Sequence, residues 1–572
     1  MTEHQSAFPF DIASPKRDLA LRPSLRTRWS KEQVRAAATV LLLLFWPWLG
    51  LFGREPWKPD EAYSFGLVWS IVQGKGLIVP LLAGEPFLEK PPLFYWVAAA
   101  FAELSRGWLP VHEGARLAVP FFLYPTLGFL AAAARELFGA RRCLLGPALF
   151  VGSLGVFDKV HMLVTDVALV AGLAIALYGI AIARRRGVAG GVGVGIGAGV
   201  AFMSKGLLGP GLVAATLAVL LCSRAWRERL AGRFIAVAAA VGAPLLIAWP
   251  LALYEQSPAL FHVWFWDNNI GRFVGFVRLG ATHGPWFYPL TLLWFTFPAW
   301  PAALEAADAA WRQQTSALPL SLPGAALSVM VIVLMSAHES RTLYALPTAL
   351  PMALLALPGL ERTSGRWVAR LRRSSIVVFA IAAALVWLAW LSAVSGFPQA
   401  TASILAAGEP GFVARFSPAA AAVAALVTLL FTWIARSGRS GPAEALWTWT
   451  AGIAMCWGLV LSLWLPYLDY GMAYRSMAGS LQRALPRDHA CVASRGLGEP
   501  QRAMLDYYLG LDTLRVETSA AARECPWMLL QYAGAAFEPP AYAYGSWEQT
   551  WAGARPGDDR EKFALLHKLP SG

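Results

Sequence analysis

Thirteen apolar runs decide what this chain can become. A helix needs about 20 mostly apolar residues to cross a hydrocarbon core of roughly 30 Å. Runs of that kind lie near 36–53, 115–134, 143–157, 162–183, 188–203, 206–222, 234–253, 286–303, 318–335, 343–359, 375–395, 416–434 and 443–465. Backbone N–H and C=O groups find no partner in lipid, so runs this long must close their hydrogen bonds within themselves, as helices. Composition agrees, since only 15% of the 572 residues are charged and 57% are hydrophobic; soluble domains carry roughly 25% charged residues. The expected class is an all-α polytopic membrane protein, and a soluble enzyme or a nucleic-acid binder is excluded.

The formal net charge of +13 is explained by where the arginines stand. Arg135, Arg141 and Arg142 follow the second run, Arg184, Arg185 and Arg186 the fourth, and Arg224, Arg227, Arg229 and Arg233 the sixth. Arg362, Arg366, Arg370, Arg372 and Arg373, then Arg436 and Arg439, mark later even-numbered gaps. Basic residues concentrate on the cytoplasmic side of membrane proteins. The basic tail 1–34 is therefore expected in the cytoplasm, with no cleavage site behind the first run. Thirteen crossings put the C-terminal segment on the opposite side of the membrane.

The odd-numbered gaps then share one face, and they hold the ionisable residues that lipid tolerates least. Asp60, Glu61, Glu89, Lys90, Asp158, Asp166, Lys205, the loop 254–285 and the turn 336–342 all fall there. Within the loop 54–114, residues 60–73 and 93–104 read as short amphipathic helices lying at the interface, the second opened by Pro91 and Pro92. The glycine run near 188–203 lacks the strand and acidic residue of a dinucleotide fold and reads as close helix packing. The chain divides into the tail 1–34, a membrane body 35–466 and a small α/β domain 467–572. That domain has expected strands in ACVASR, TLRVET and CPWMLLQ and helices near 472–485 and 499–509. Cys491 and Cys525 lie in it and are expected to pair if the compartment is oxidising.

Six separated segments bear a resemblance. PDE at 59–61, FLEKPPLFYW at 87–96, MLVTDVAL at 162–169, MSKG at 203–206, FWDNNIGRF at 265–273 and the S-x-x-x-S-R-T-L-Y-A-L-P run at 336–347 together resemble the GT-C membrane glycosyltransferases. They are most similar to the bacterial branch containing the lipid A aminoarabinose transferase, which is related to the protein O-mannosyltransferases. The resemblance implies inverting transfer of a sugar from an undecaprenyl-phosphate (polyprenyl) donor to a lipid, glycan or protein acceptor on the periplasmic face, lipid A modification and protein glycosylation being two forms of it.

Roles follow from that resemblance together with the chemistry of each side chain. Asp60 stands where the family places its carboxylate, suited to taking an acceptor proton or steadying positive charge at the anomeric carbon; an N-cap is its plain structural alternative. Glu61 and Asp166 join it as catalytic candidates. Lys90, Arg272, Tyr344 and Lys205 are assigned to the carrier phosphate, for which ammonium and guanidinium groups are natural ligands. Tyr63, Trp266, Asn269 and His338 are placed in the substrate pocket. A divalent metal (Zn, Mg or Mn) would rest on Glu89 and His262, because Asn269 stands where the aminoarabinose enzyme has histidine and is a poorer zinc ligand. A monomer embedded in membrane lipids is expected. The competing readings are a transporter or flippase of lipid-linked sugars, and a ligase or polymerase that moves whole oligosaccharide blocks.

Overall fold

The computed structural model describes residues 31–230, 232–277, 281–314, 316–362, 365–437, 441–533, 547–558 and 560–569. Most of the basic tail, Arg439 and Arg278 lie outside the described residues. Each of the thirteen runs falls on helix, and among the described residues eight helices are both long and apolar enough to cross a membrane. The remaining runs are shorter or interrupted, and two of the interruptions fit one another. The run 143–157 is helical only over Leu145–Gly152, and the run 286–303 is split into Phe287–Phe295 and Ala299–Trp311 around Pro298. Where the first helix stops, the Leu154 and Gly155 amides donate to the carbonyls of Phe297 and Phe295, at 3.1 and 2.8 Å. Each break thus satisfies the other's backbone, as interrupted helices in lipid require. A side chain at Gly155 would strike the Phe295 ring.

The glycine-rich helix Gly187–Lys205 is a packing element, as its composition suggests. A Cβ on Gly172 or Gly197 would sit 2.5–2.6 Å from backbone atoms of the facing helix. Gly195 meets the helix Arg233–Gln256 equally closely, at the Ala238 carbonyl. Such backbone approach is how small residues hold membrane helices together.

The expectation of an interfacial helix over 60–73 is corrected. That segment and 93–104 are both helical, as Asp60–Val72 and Leu93–Leu104, but ten of the thirteen residues in the first are buried. Its apolar residues run all round the helix, and that is the mark of a buried helix and not of one floating at an interface. The cover is the C-terminal region. Gly66 packs against Ala503, and Phe65 and Trp69 meet Tyr507 edge-on at 4.7 and 5.3 Å. Polar contacts fasten the same surfaces: Arg502 to Glu85 at 2.8 Å, the Tyr508 hydroxyl to Glu55 at 2.9 Å, and Lys58 to Asp558.

A hairpin in the first loop pairs β1 (Leu81–Leu82) with β2 (Glu85–Pro86). The C-terminal sheet contains β3 (Val492–Arg495), β4 (Leu514–Arg515), β5 (Trp527–Tyr532), β6 (Trp547–Ala554) and β7 (Lys562–Lys568), in the order β4-β3-β5-β7-β6. β3 runs parallel to β4 and β5, and β7 lies antiparallel between β5 and β6. The expected strands at ACVASR, TLRVET and CPWMLLQ are present as β3, β4 and β5, and the two expected helices as Arg475–Ala484 and Glu499–Leu509. β6 and β7 escaped the sequence reading. Cys491 and Cys525, just ahead of the neighbouring strands β3 and β5, are joined by a disulfide.

Candidate active site

One face of the helical body gathers ionised side chains from five separate parts of the chain. Lys205 ends the glycine-rich helix, and Gly206, with φ of +65°, turns the backbone into the helix Leu208–Leu221. This left-handed conformation suits glycine, and a Cβ there would strike the Asn269 amide oxygen. Asn269 holds the turn by accepting from the Leu207 amide at 3.1 Å and donating to the Trp264 carbonyl at 2.8 Å. The Lys205 ammonium then reaches both oxygens of Asp166 at 2.7 Å and lies 4.8 Å from the centroid of the Tyr344 ring. Asp166 is itself the first residue of its helix and is buried.

Glu89 and Lys90 precede Pro91 and Pro92 at the mouth of the helix Leu93–Leu104. Lys90 donates to the Tyr63 hydroxyl. Glu89 receives Arg272 at 3.0 Å, and Arg272 also binds Glu339 at 2.8 Å. Burial alone would raise the Glu89 carboxyl, but the charges of Lys90 and Arg272 hold it below the usual range. Burial alone would lower Lys90, yet Tyr63, Tyr95 and Glu89 keep it well above an ordinary lysine. The segment leading to Arg272, Val263–Gly271, is π-helical, a geometry concentrated at functional sites. These groups border a cavity of about 450 Å³ whose polar wall is Glu89, Lys90, Lys205, Arg272, Glu339 and Tyr344 with Asn268 and Asn269, so Asn269 lies where the pocket was expected. Its other walls are apolar, with Leu208, Leu212, Val333 and Leu334 prominent.

Asp60 stands at the edge of this cavity and not in its wall. It opens the helix Asp60–Val72, but its carboxylate makes no capping hydrogen bond. Instead Arg341 donates to both oxygens at 2.9 Å. Capping is therefore ruled out as the reason for this aspartate, and a guanidinium partner from the 336–347 motif replaces it.

Several expected site residues are placed elsewhere. Glu61 points away from the cavity into the protein: it is fully buried, bound by Arg54 and Arg116 and by the amides of Trp57 and Leu163. Every oxygen is occupied by structural donors, so it offers the cavity no free acceptor. Trp266 is half exposed and stacks on Phe265, outside the cavity wall. His338 packs against Gly275, and its Nε2 is buried without a partner, while its neighbours Ala337 and Glu339 face the cavity. Asp158 pairs with Lys159.

The proposed metal ligands do not fit a metal. Glu89 is bound to a guanidinium, both polar atoms of Asn269 are spent on backbone, and His262 is exposed on the short helix Pro258–His262. Among the described residues no cluster of three or more His, Cys, Asp or Glu side chains is arranged to hold an ion.

Four groups bearing on the site were given no role from sequence, Glu339, the partner of Arg272 in the cavity wall, among them. Arg341 is another, and its signal was its place in the S-R-T-L-Y run. Tyr95 is a third: it is buried near Lys90, and its hydroxyl has no hydrogen-bond partner. The fourth is Glu499, at the start of a C-terminal helix. Burial, then the nearby negative charge of Glu89, pushes its carboxyl up, and no local pattern announces that a residue four hundred positions away approaches the same groups.

The basic gaps meet one another as the acidic ones do. Arg142 binds Glu361, Arg185 binds Glu136, and Arg372 donates to the Ala435 carbonyl. These are contacts among even-numbered gaps, separate from the cavity.

Residues 89–253 match the family described as dolichyl-phosphate-mannose-protein mannosyltransferase. The undecaprenyl phosphate-alpha-4-amino-4-deoxy-L-arabinose arabinosyl transferase of Pseudomonas aeruginosa (strain LESB58) is 30% identical over 342 residues, covering 56% of this chain and 59% of that protein. The enzyme of the same name from Edwardsiella ictaluri (strain 93-146) is 28% identical over 353 residues, covering 59% and 61%. The match thus spans about three fifths of these relatives' length. The crystal structure of ArnT from Cupriavidus metallidurans bound to undecaprenyl phosphate superimposes with a TM-score of 0.65 at 18% identity, over 93% of this chain and 97% of that one. The apo form of the same protein gives 0.67 at 17% identity. With its helical body and small C-terminal sheet, the chain shares the fold of the ArnT structure over nearly its whole length and is similar in sequence to the arabinosyl transferases over about three fifths of it.

Proposed function

We propose that this protein transfers a single sugar, with inversion, from an undecaprenyl-phosphate donor to an acceptor hydroxyl at the outer face of the membrane. The observation that carries the reading is the cavity itself, where Lys90, Arg272 and Lys205 converge with the Tyr344 ring above apolar walls. Cations able to make charge-assisted bonds to phosphoryl oxygens, set beside lipid-compatible walls, suit a phosphate carried on a hydrocarbon chain. Leu208, Leu212, Val333 and Leu334 give that cavity an aliphatic side on which the first isoprene units of a carrier can lie.

In this mechanism the acceptor oxygen attacks the anomeric carbon as the bond from that carbon to the carrier phosphate breaks. The electron pair leaves with the phosphate, and Lys90, Arg272 and Lys205 stabilise its charge. The acceptor's proton passes to Asp60, which Arg341 orients. Arg272 exchanges part of its contact with Glu89 and Glu339 for the incoming phosphate, so an ion pair already desolvated in the empty cavity is traded for another. No step calls for a metal.

The proposal includes the division of the chain at 34 and 466, a monomer, an inner-membrane location, a cytoplasmic N-terminus, and a cavity and C-terminal domain in the periplasm. The Arg-rich gaps support that orientation. The acceptor class extends from lipid A to other glycolipids, glycans and proteins. Purified protein in proteoliposomes, given radiolabelled undecaprenyl-phosphate sugar and extracted outer-leaflet glycolipid, is expected to form a new glycosidic bond to one sugar. Label that crosses the bilayer without bond formation would assign a transporter instead, and products carrying sugar blocks would assign a ligase.

A further inference from the structure

A second cavity lies between the ends of the helices Ala118–Phe138 and Asp166–Ile182, at the rim where the arginine-rich turns meet. Its volume is about 570 Å³, larger than that of the sugar-transfer cavity. Arg135, Arg185 and Arg186 line it against the single carboxylate of Glu136, which takes Arg185 at 3.4 Å. Among the described residues, neither Arg135 nor Arg186 has a side-chain partner. Arg186 is also the residue before the helix Gly187–Lys205, whose start has no side-chain cap. The positive end of that helix dipole therefore adds to the charge of the guanidinium groups. The floor is different in character: Ala131, Ala132 and Ile182 are aliphatic, and Tyr178 adds an amphipathic ring. The wall at Cys143 is held in place because Arg142 is tied to Glu361 and to the Phe138 carbonyl.

Arginines that only mark membrane orientation need no cavity, since their heads are satisfied by water. Here three exposed arginines border one half-open recess with an apolar base, at the ends of two apolar helices. A basic pocket of this kind between helices on the cytoplasmic side is the setting in which anionic lipid headgroups bind. We propose that this cavity is a binding site for the phosphodiester headgroup of an anionic phospholipid, with the guanidinium groups on the phosphate and the acyl chains leaving over Ala132 and Ile182. Free phosphate would use the arginines but gain nothing from the aliphatic base. The site is separate from Asp60 and its cavity, and the proposal stands whatever the protein transfers.

The test uses the full-length protein in detergent, with native mass spectrometry in the presence of phosphatidylglycerol or phosphatidylcholine. Wild-type protein is expected to retain phosphatidylglycerol preferentially. The variant Arg135→Gln/Arg186→Gln, which leaves the Arg185–Glu136 pair intact, is expected to lose about ten- to thirty-fold in affinity, while sugar transfer from short-chain soluble donor is unchanged. A second measurement leaves the arginines in place. In a Cys222→Ser/Cys456→Ser background, Cys143 is the free thiol to be labelled by a membrane-permeant maleimide. Its labelling is expected to slow several-fold in phosphatidylglycerol vesicles relative to phosphatidylcholine vesicles. Equal labelling in both vesicles would overturn the proposal, as would a variant that retains phosphatidylglycerol as well as wild type. Protection of Cys143 by inorganic phosphate in lipid-poor detergent, to the same degree as by phosphatidylglycerol, would overturn the lipid as the occupant.

Discussion

Asp60 and Glu61 are consecutive carboxylates with opposite surroundings. Glu61 faces inward to Arg54 and Arg116, and Arg116 in turn spends its remaining donors on the carbonyls of Leu51, Arg54 and Glu55. The group is buried, and its two guanidinium ions share the one carboxylate. Asp60 has one guanidinium partner, Arg341, whose side chain is about a third exposed. Burial would raise Glu61, but its two arginines hold it down to about 2. The difference is one of availability: a carboxylate enclosed by permanent donors has no capacity left for a proton, whereas one held by a single movable cation retains it.

Substitutions at the two positions should separate activity from stability. Asp60→Asn is expected to lower transfer by about 10²–10⁴-fold, the usual worth of a positioned acid or base, with the unfolding midpoint nearly unchanged. Full turnover of that variant with a purified lipid-linked donor would remove Asp60 from the mechanism. Glu61→Gln should behave the other way round, losing about 3–5 kcal/mol of stability because two guanidinium groups remain buried without their counter-charge. Thermal unfolding followed by tryptophan fluorescence measures the loss, and activity per folded molecule should stay close to wild type.

Lys90→Met probes the open region from the cation side. Losing one charge-assisted contact to phosphate is worth roughly 1.5–3 kcal/mol, so kcat/KM for the lipid donor should fall by about ten- to a hundredfold. An unaltered kcat/KM would move the phosphate away from Lys90.

Asp506 provides the smallest effect and a third environment. It is buried in the C-terminal domain, and desolvation, then the charge of Asp512, pushes its carboxyl up to about 6. The folded state therefore holds a proton that the unfolded chain releases above its ordinary value near 4, and stability from this group declines as pH rises from about 4 to 6. For Glu61 the sign is reversed, since its depressed carboxyl stabilises the fold above about 4.5 and loses that contribution as pH falls toward 2. Asp506→Asn should remove the first slope and raise neutral-pH stability by roughly 1–3 kcal/mol. A midpoint that depends on pH between 4 and 6 as steeply as in wild type would show that the buried proton resides elsewhere.

Much of this site was legible in the chain because its signals were local. Lys90 before two prolines, Asp166 at the head of a helix, Lys205 at a turn and Arg272 after a long aromatic segment are all visible as charges where lipid disfavours them. The direction each one faces was not legible. Asp60 and Glu61 look interchangeable until the arginines at 54, 116 and 341 are brought to them from far along the chain. The Asp60–Val72 helix was misjudged for the same reason: its cover comes from residues near 503–508, and periodicity describes a helix's faces without naming what will lie on them. β6 and β7 were missed because they are held by pairing with each other and, through β7, with β5, and none of that pairing is written in the local pattern of either segment.

That cover turns the C-terminal region into more than an appendage. The helix beginning at Asp60 is pressed between the helical body and the C-terminal helix Glu499–Leu509, so the Asp60 carboxylate takes its position from both. A chain shortened before residue 467 would leave Phe65 and Gly66 bare and Glu55 and Glu85 without the groups that anchor them. Evolution of a minimal version by trimming the soluble part is thereby closed off, and any change in the sheet is free to reach the chemistry without touching a transmembrane segment.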